Sequence, residues 1–234
     1  MHENHKKMKS YSQWGEDVEV LNYFGKSVGV FIEVGANHPT LLSQTYLLEE
    51  AGWSGVLIEP NPRLAELLIA ERKQSVVFQC AVSGPQSPKK LVLSWLDEMA
   101  IDGQLSVDLK NGSGVVVNVR TLDDILIEAG LQSIDFMAID IEGLEIEAMK
   151  GFDFNEWRPR LILIEDHWDS YRKHIFLRLK GYKLVKRSVI NSWYIPIDET
   201  RIPNDPMSIK NFIYGWCIGC AYRSVRKFLR SLLR

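Results

Sequence analysis

The feature that most constrains this chain is a set of short, almost uninterrupted apolar runs that close on an acidic residue or a glycine. Ile134 to Ile139 is nearly all apolar and leads into Asp140, Leu161 to Glu165 (LILIE) closes on its own glutamate, and Val30 to Val34 (VFIEV) stops at Gly35. Such runs have no polar face, so they suit strands buried on both sides of a parallel sheet covered by helices. Helical segments lie between them. Ser43 to Ala51 carries Leu47, Leu48 and Ala51 on one side and stops at Gly52, and Pro62 to Glu71 has its proline in the first turn. Thr121 to Ala129 opens on a good N-cap and an acidic turn, and Ser170 to Lys180 ends at Gly181. Further strands are expected at Val56 to Ile58, Ser75 to Val82, Leu91 to Leu96 and Val115 to Val119. Tyr182 to Lys186 and Trp193 to Ile197 pair most simply as an antiparallel hairpin. The expected fold is α/β, a doubly wound, mostly parallel sheet with helices on both faces and an antiparallel end.

A chain of 234 residues has room for one such domain. Lys plus Arg number 28 against 30 Asp plus Glu, a net charge of -2, which argues against a general nucleic-acid binder. No apolar run approaches the ~18 to 20 residues of a membrane span. The Lys-rich start, Met1 to Ser10, lacks a signal-peptide core, and Cys80, Cys217 and Cys220 are too few for a disulfide framework. These features point to a cytoplasmic protein. Cys217 and Cys220 form a single C-x-x-C without further zinc ligands nearby, and His2 and His5 resemble no metal site. The expected organisation is one domain over residues 1–215, with a leading segment at 10–24 and a core at 28–197, followed by a basic amphipathic helix at 216–234. In that last segment Val225, Phe228, Leu229 and Leu232 share one helical face, while Arg223, Arg226, Lys227, Arg230 and Arg234 supply the charge. The helix is suited to dock on the domain, on a second copy, or peripherally on an anionic membrane surface.

Ligands of doubly wound sheets bind beyond the carboxyl ends of the strands, near the switch point. Glu33-Val34-Gly35-Ala36-Asn37 is a strand-to-turn glycine site, but the second and third glycines of a dinucleotide fingerprint are missing. A nucleoside ligand without a pyrophosphate, such as S-adenosylmethionine, needs only one close backbone approach, and Glu33 is placed to pair with an ammonium. Glu59, in Glu59-Pro60-Asn61-Pro62, can accept both hydroxyls of an adenosine ribose; the bland alternative is an acid favoured by a helix N-terminus. Asp140 and Glu142 at the edge of the sheet can hold the methionyl part of a cofactor, bind a substrate hydroxyl, or ligate a divalent cation through oxygen. His167, just past Glu165 and Asp166, is the preferred general base because imidazole titrates near neutral pH.

Taken in order, these residues resemble the FkbM-type S-adenosylmethionine-dependent methyltransferases over about residues 10 to 197. The matching pieces are Tyr11 to Asp17 (YSQWGED), Phe31 to Pro39 (FIEVGANHP), Gly52 to Pro62 (GWSGVLIEPNP), Ala81 to Ser83, Thr121 to Asp123 and Ile134 to Glu145 (IDFMAIDIEGLE). One departure is Glu33, where the family often has Asp. The resemblance implies a Rossmann-like class I methyltransferase fold, a seven-stranded sheet with an antiparallel last strand. It also implies O-methylation, frequently of a sugar or polyketide hydroxyl. By carry-over, Glu33, Gly35, Ala36, Asn37, Glu59, Pro60, Ala81, Val82 and Asp140 line the cofactor site, and Gln13 and Glu16 fold over the cofactor or its entrance.

The expected reaction is in-line methyl transfer to a substrate oxygen, with His167, Asp140 or Glu142 removing the hydroxyl proton, or a divalent ion acidifying it. Trp95, Trp168, Trp193 and Tyr194 suit stacking on a sugar ring. The expected partner is a small-molecule or glycan acceptor, not a nucleic acid. Two other readings remain at this point: an NAD-dependent sugar-modifying Rossmann enzyme, and a methyltransferase-like domain used only as a binding module.

Overall fold

The computed structural model describes residues 8–25, 27–93, 114–166 and 171–203. Its centre is a sheet of seven strands: β1 (Val30–Val34), β2 (Ser54–Ile58), β3 (Ser75–Phe78), β7 (Phe136–Ile139), β8 (Leu161–Glu165), β9 (Tyr182–Ser188) and β10 (Asn191–Pro196). Their spatial order is β3-β2-β1-β7-β8-β10-β9. Neighbours are parallel from β3 to β8, and β10 runs antiparallel to both β8 and β9. This is the doubly wound order with an antiparallel last strand. The chain winds outward from β1 through β2 to β3, and later outward on the other side from β7, so the switch point lies between β1 and β7.

The apolar runs behave as their composition demands. Every residue of β7 and β8 is buried, and so are four of the five in β1 and in β2. Side chains alternate between two cores, as the period of two requires. Ile32, Val34, Met137, Ile139, Ile162 and Ile164 pack on one face with Leu122 and Leu126. Phe31, Phe136, Ala138, Leu161 and Leu163 pack on the other with Trp53 and Trp193. The helices are α1 (Glu16–Phe24), α2 (Tyr46–Glu50), α3 (Pro62–Glu71), α4 (Leu122–Glu128), α5 (Glu145–Met149) and α6 (Arg172–Leu179).

Three sequence expectations are corrected here. Ser75 to Val82 is not one strand. The Cys80 N–H turns back to the Phe78 carbonyl at 3.1 Å, which ends β3. The chain then enters a small second sheet in which β4 (Ala81–Val82) and β5 (Lys90–Leu93) flank β6 (Val115–Arg120). The helix expected from Ser43 begins only at Tyr46, because Ser43 Oγ accepts the N–H groups of Thr45 and Tyr46 and shapes a turn ahead of it. Trp193 and Tyr194 are fully buried in β10 and unavailable for stacking on a ligand. The basic segment 216–234, Trp95, Trp168, Cys217, Cys220 and His167 lie outside the described residues. Among the described residues no helix is long and apolar enough to cross a membrane.

Candidate active site

The carboxyl ends of β1, β2, β7 and β8 open into a cavity of about 250 Å³. Among the described residues five carboxylates line it, those of Glu33, Glu59, Asp140, Glu142 and Glu165, and no lysine or arginine does. A second, mostly apolar lobe of about 170 Å³ shares Val34, Gly35, Pro60 and Ile141 with the first and extends to Ala81, Val82 and Leu144. Of the sequence-selected cofactor residues, Gln13, Glu33, Gly35, Ala36, Asn37, Glu59, Pro60 and Asp140 border the acidic lobe. Ala81 and Val82 border the apolar one. Glu142 is also in the acidic lobe, whereas the position of His167 is outside the described residues.

Gly35 holds this arrangement together. Its φ is +82°, and a Cβ there would stand 2.0 Å from the Asp140 carbonyl oxygen. The close approach for which glycine is needed is thus an approach of the protein to itself: the turn after β1 packs on the turn after β7, and Asp140 is brought to the cavity beside Glu33. Gly35 N and Ala36 N both donate to the Ile58 carbonyl, at 2.9 and 3.1 Å, which draws the end of β2 into the same cluster.

Glu59 is held as a fixed acceptor. Its Oε2 takes the Asn37 N–H at 2.9 Å and its Oε1 takes the Asn61 N–H at 2.8 Å. Burial nevertheless dominates and pushes its carboxyl up to about 7. Asn37 reaches this position in the left-handed region at φ 51°, which asparagine tolerates. Leu42 (φ 62°) and Glu142 (φ 53°) adopt the same region without that excuse, and both line the cavity. Backbone strain of this kind costs on the order of 1–3 kcal/mol per residue and concentrates at functional sites.

Glu33 is engaged by the protein. Thr45 Oγ1 donates to Oε2, Gln44 N to Oε1 at 2.9 Å and Ser43 Oγ to Oε2 at 3.3 Å, while Arg72 stands 3.9 Å away. Burial raises its carboxyl, and Arg72 partly opposes the shift. Asp140 and Glu165 share a hydrogen bond, and burial together with their mutual repulsion raises Asp140. Glu165 is raised by burial and by Glu142. The pair therefore retains a proton well above the ordinary carboxylate range.

Sequence reasoning reached the strand end at Glu165 but selected His167 there, and it passed over Asn191; Glu165 and Asn191 both line the cavity. Glu165 had a signal, since it ends an apolar strand one position from the switch point. Asn191 had none; it arrives through the pairing of β10 with β8, opposite Glu165. Glu16, expected over the cofactor or its entrance, is buried and accepts from Trp14 N, Asn191 Nδ2 and Ser188 Oγ. Its adhesion positions Gln13 at the cavity.

Residues 33–184 match the model of the FkbM methyltransferase domain. The chain belongs to the FkbM methyltransferase family. The matched span of this FkbM chain runs from Glu33 at the end of β1 into β9 and so includes every strand end that forms the cavity. No curated protein matches the sequence. Among solved structures, the METTL16 methyltransferase domain aligns at 12% identity and a TM-score of 0.45, over 76% of this chain and 63% of its own. The precorrin-6y C5,15-methyltransferase of Geobacter metallireducens aligns at 13% identity and 0.39, over 77% of this chain and 85% of its own. The N-terminal domain of human METTL16 in complex with SAH aligns at 15% and 0.38, over 77% and 65%. The FkbM chain thus spans less than two thirds of the METTL16 domain. Its family assignment rests on the family model, not on these overlays.

Proposed function

We propose that this methyltransferase uses S-adenosylmethionine and methylates a hydroxyl oxygen of a sugar, glycan or related natural-product acceptor. The observation that carries the donor is the charge of the cavity: among the described residues five carboxylates and no basic residue line it, and it opens into an apolar lobe. An acidic cavity repels a pyrophosphate and attracts a cation, which speaks for a sulfonium amino acid and against NAD. When bound, S-adenosylmethionine supplies a methyl group made electrophilic by its sulfonium. Glu59 is placed to accept the two ribose hydroxyls on the lone pairs that the Asn37 and Asn61 N–H groups leave free. The apolar lobe walled by Val34, Ile58, Val82 and Leu144 suits the adenine.

The acceptor oxygen must lose a proton as it gains the methyl group. Burial and Glu165 make Asp140 more basic than an ordinary carboxylate, so its ionised form can take that proton, a contribution of about 10²- to 10⁴-fold. His167, two residues past the end of β8, is the alternative base. Alignment of the reacting atoms supplies the rest of the rate. Titration calorimetry with S-adenosylhomocysteine, with NAD as the parallel control, tests the donor. Micromolar binding of the first and none of the second is expected; binding of neither turns the reading toward a retired, non-catalytic domain. Mass-spectrometric screening of hydroxylated glycans and polyketides for a methyl increment tests the acceptor class. A product methylated on nitrogen or carbon would overturn it.

A further inference from the structure

We infer that Asp140, Glu142 and Glu165, with the Asn191 side-chain carbonyl, form a binding site for one hard divalent cation of the Mg²⁺/Mn²⁺ type. One carboxylate oxygen from each of the three acids lies within 4.8 Å of the others. Ligand oxygens stand up to ~4.2 Å apart around Mg²⁺ and up to about 5 Å apart around Ca²⁺, so one ion is reached when the carboxylates draw in by roughly half an ångström for the smaller cations. The second observation is independent of the acids. Asn191 is 3% exposed and lines the same cavity, and its Oδ1 is buried without a hydrogen-bond partner among the described residues. The orientation of the amide is set by Nδ2, which donates to Glu16 Oε1 at 2.9 Å. Asn191 stands directly opposite Glu165 in the β10–β8 ladder, so its side chain and the glutamate share one face of the sheet and the carbonyl end is the one left over for the acids.

An orphaned carbonyl oxygen is costly to bury, by roughly 1–3 kcal/mol, unless a donor or a cation completes it. Carboxylates and a neutral carbonyl are the ligand set of a hard cation, not of zinc held by sulfur and imidazole. Three converging acids outnumber the one ammonium of the donor, which leaves negative charge for a divalent ion beside it. Glu33 is already engaged by Ser43, Gln44 and Thr45, and Glu59 by two backbone N–H groups, yet three acids still converge. The three come from the ends of two adjacent parallel strands and the turn after the first, so the fold itself holds them together.

The role of the ion rests on the methyl-transfer reading, whereas its binding does not. Four protein oxygens leave open positions on an octahedral ion, and an acceptor bearing neighbouring hydroxyls can occupy them. Coordination lowers the pKa of the hydroxyl; with Asp140 on the ion, the proton passes to solvent and the oxygen takes the methyl group from the sulfonium.

The test uses the full chain, freed of metal with a chelator and dialysed. MnCl₂ is added, binding is followed by calorimetry and by the Mn²⁺ paramagnetic resonance signal, and the titration is repeated with saturating S-adenosylhomocysteine. One Mn²⁺ per chain is expected in both conditions. Glu165→Gln and Glu142→Gln should each weaken it by at least ~10-fold, the lower bound for residues that merely support a ligand. Glu142 is exposed, so Glu142→Gln tests the site even where Glu165→Gln does not fold. The proposal is overturned by no Mn²⁺ uptake at millimolar concentration, by displacement of Mn²⁺ on adding S-adenosylhomocysteine, or by unchanged uptake in Glu142→Gln. Mn²⁺ binding without S-adenosylhomocysteine binding would keep the site and remove the cofactor reading, and the reverse pattern would do the opposite.

Discussion

Glu59 shows how one buried side chain can cost stability in order to serve a ligand. Burial lifts its carboxyl from 4.5 to about 7, so between these values the folded chain keeps a proton that the unfolded chain has lost. The stability contributed by this group is complete below about pH 4.5 and declines as pH rises toward 7, by roughly 3 kcal/mol in all. Glu59→Gln cannot ionise and should flatten that part of the stability curve, measured by urea denaturation across the window. The same variant should bind S-adenosylhomocysteine about 10- to 100-fold more weakly, since each hydrogen bond to an ionised acceptor contributes ~1.5–3 kcal/mol. An unchanged affinity would remove Glu59 from the ribose role. At this scale the sequence was informative about positions and less so about partners. Glu59 and Asp140 were legible because acids at strand ends have no packing reason to be there. The buried turn around Glu33 was not, because its partners Ser43 and Thr45 read as ordinary helix-start residues, and Arg72 lies far along the chain.

Between elements, the same residues act as ties. Arg72, the C-cap of α3, is 1% exposed and donates from Nε to Glu49 Oε2 of α2 at 2.7 Å. It also donates to the Pro39 carbonyl and to Thr45 Oγ1, at 3.1 and 2.9 Å, and so joins two helices to the turn that follows β1. Arg72→Met would leave Glu33 and Glu49 buried without their counter-charge. A loss of about 3–5 kcal/mol is expected by chemical denaturation, the magnitude for breaking rather than replacing a buried ion pair. A loss below ~1 kcal/mol would mean that water replaces the guanidinium at no great cost. Gly35→Ala meets a different obstacle, the Asp140 carbonyl oxygen 2.0 Å from the new methyl. The turns after β1 and β7 must then separate, which should abolish S-adenosylhomocysteine binding and, where the variant folds, lower its melting temperature. Element order, the double-sided burial of β1, β7 and β8, and the terminal hairpin all followed from apolar periodicity. The break of Ser75 to Val82 into strands of two sheets did not, because it depends on a local turn at Gln79 and Cys80 inside a run whose residues all favour extended backbone.

Across the whole molecule, the leading segment packs α1 on one face of the sheet and brings Gln13 to the cavity. Asp17, fully buried, accepts from Ser10 Oγ at 2.6 Å, Tyr11 N at 2.7 Å and Ser12 Oγ at 2.9 Å, which folds this segment onto the start of α1. Glu16 then reaches across the chain to Asn191, a separation of 175 residues. No periodicity encodes such a contact; only the resemblance marked the leading motif, which it implied folds over the cofactor or the entrance. Glu16→Ala would strip acceptors from Trp14 N and Asn191 Nδ2, at an expected cost of roughly 2–4 kcal/mol. For a domain of this size that corresponds to a fall of about 5–15 °C in melting temperature. A strap and a mere stabiliser differ in a second reading, taken well below the melting transition. If Glu16 anchors the segment that carries Gln13 and also orients the Asn191 carbonyl, the folded variant should bind both S-adenosylhomocysteine and Mn²⁺ more weakly. A lower melting temperature with both affinities intact would confine Glu16 to stability.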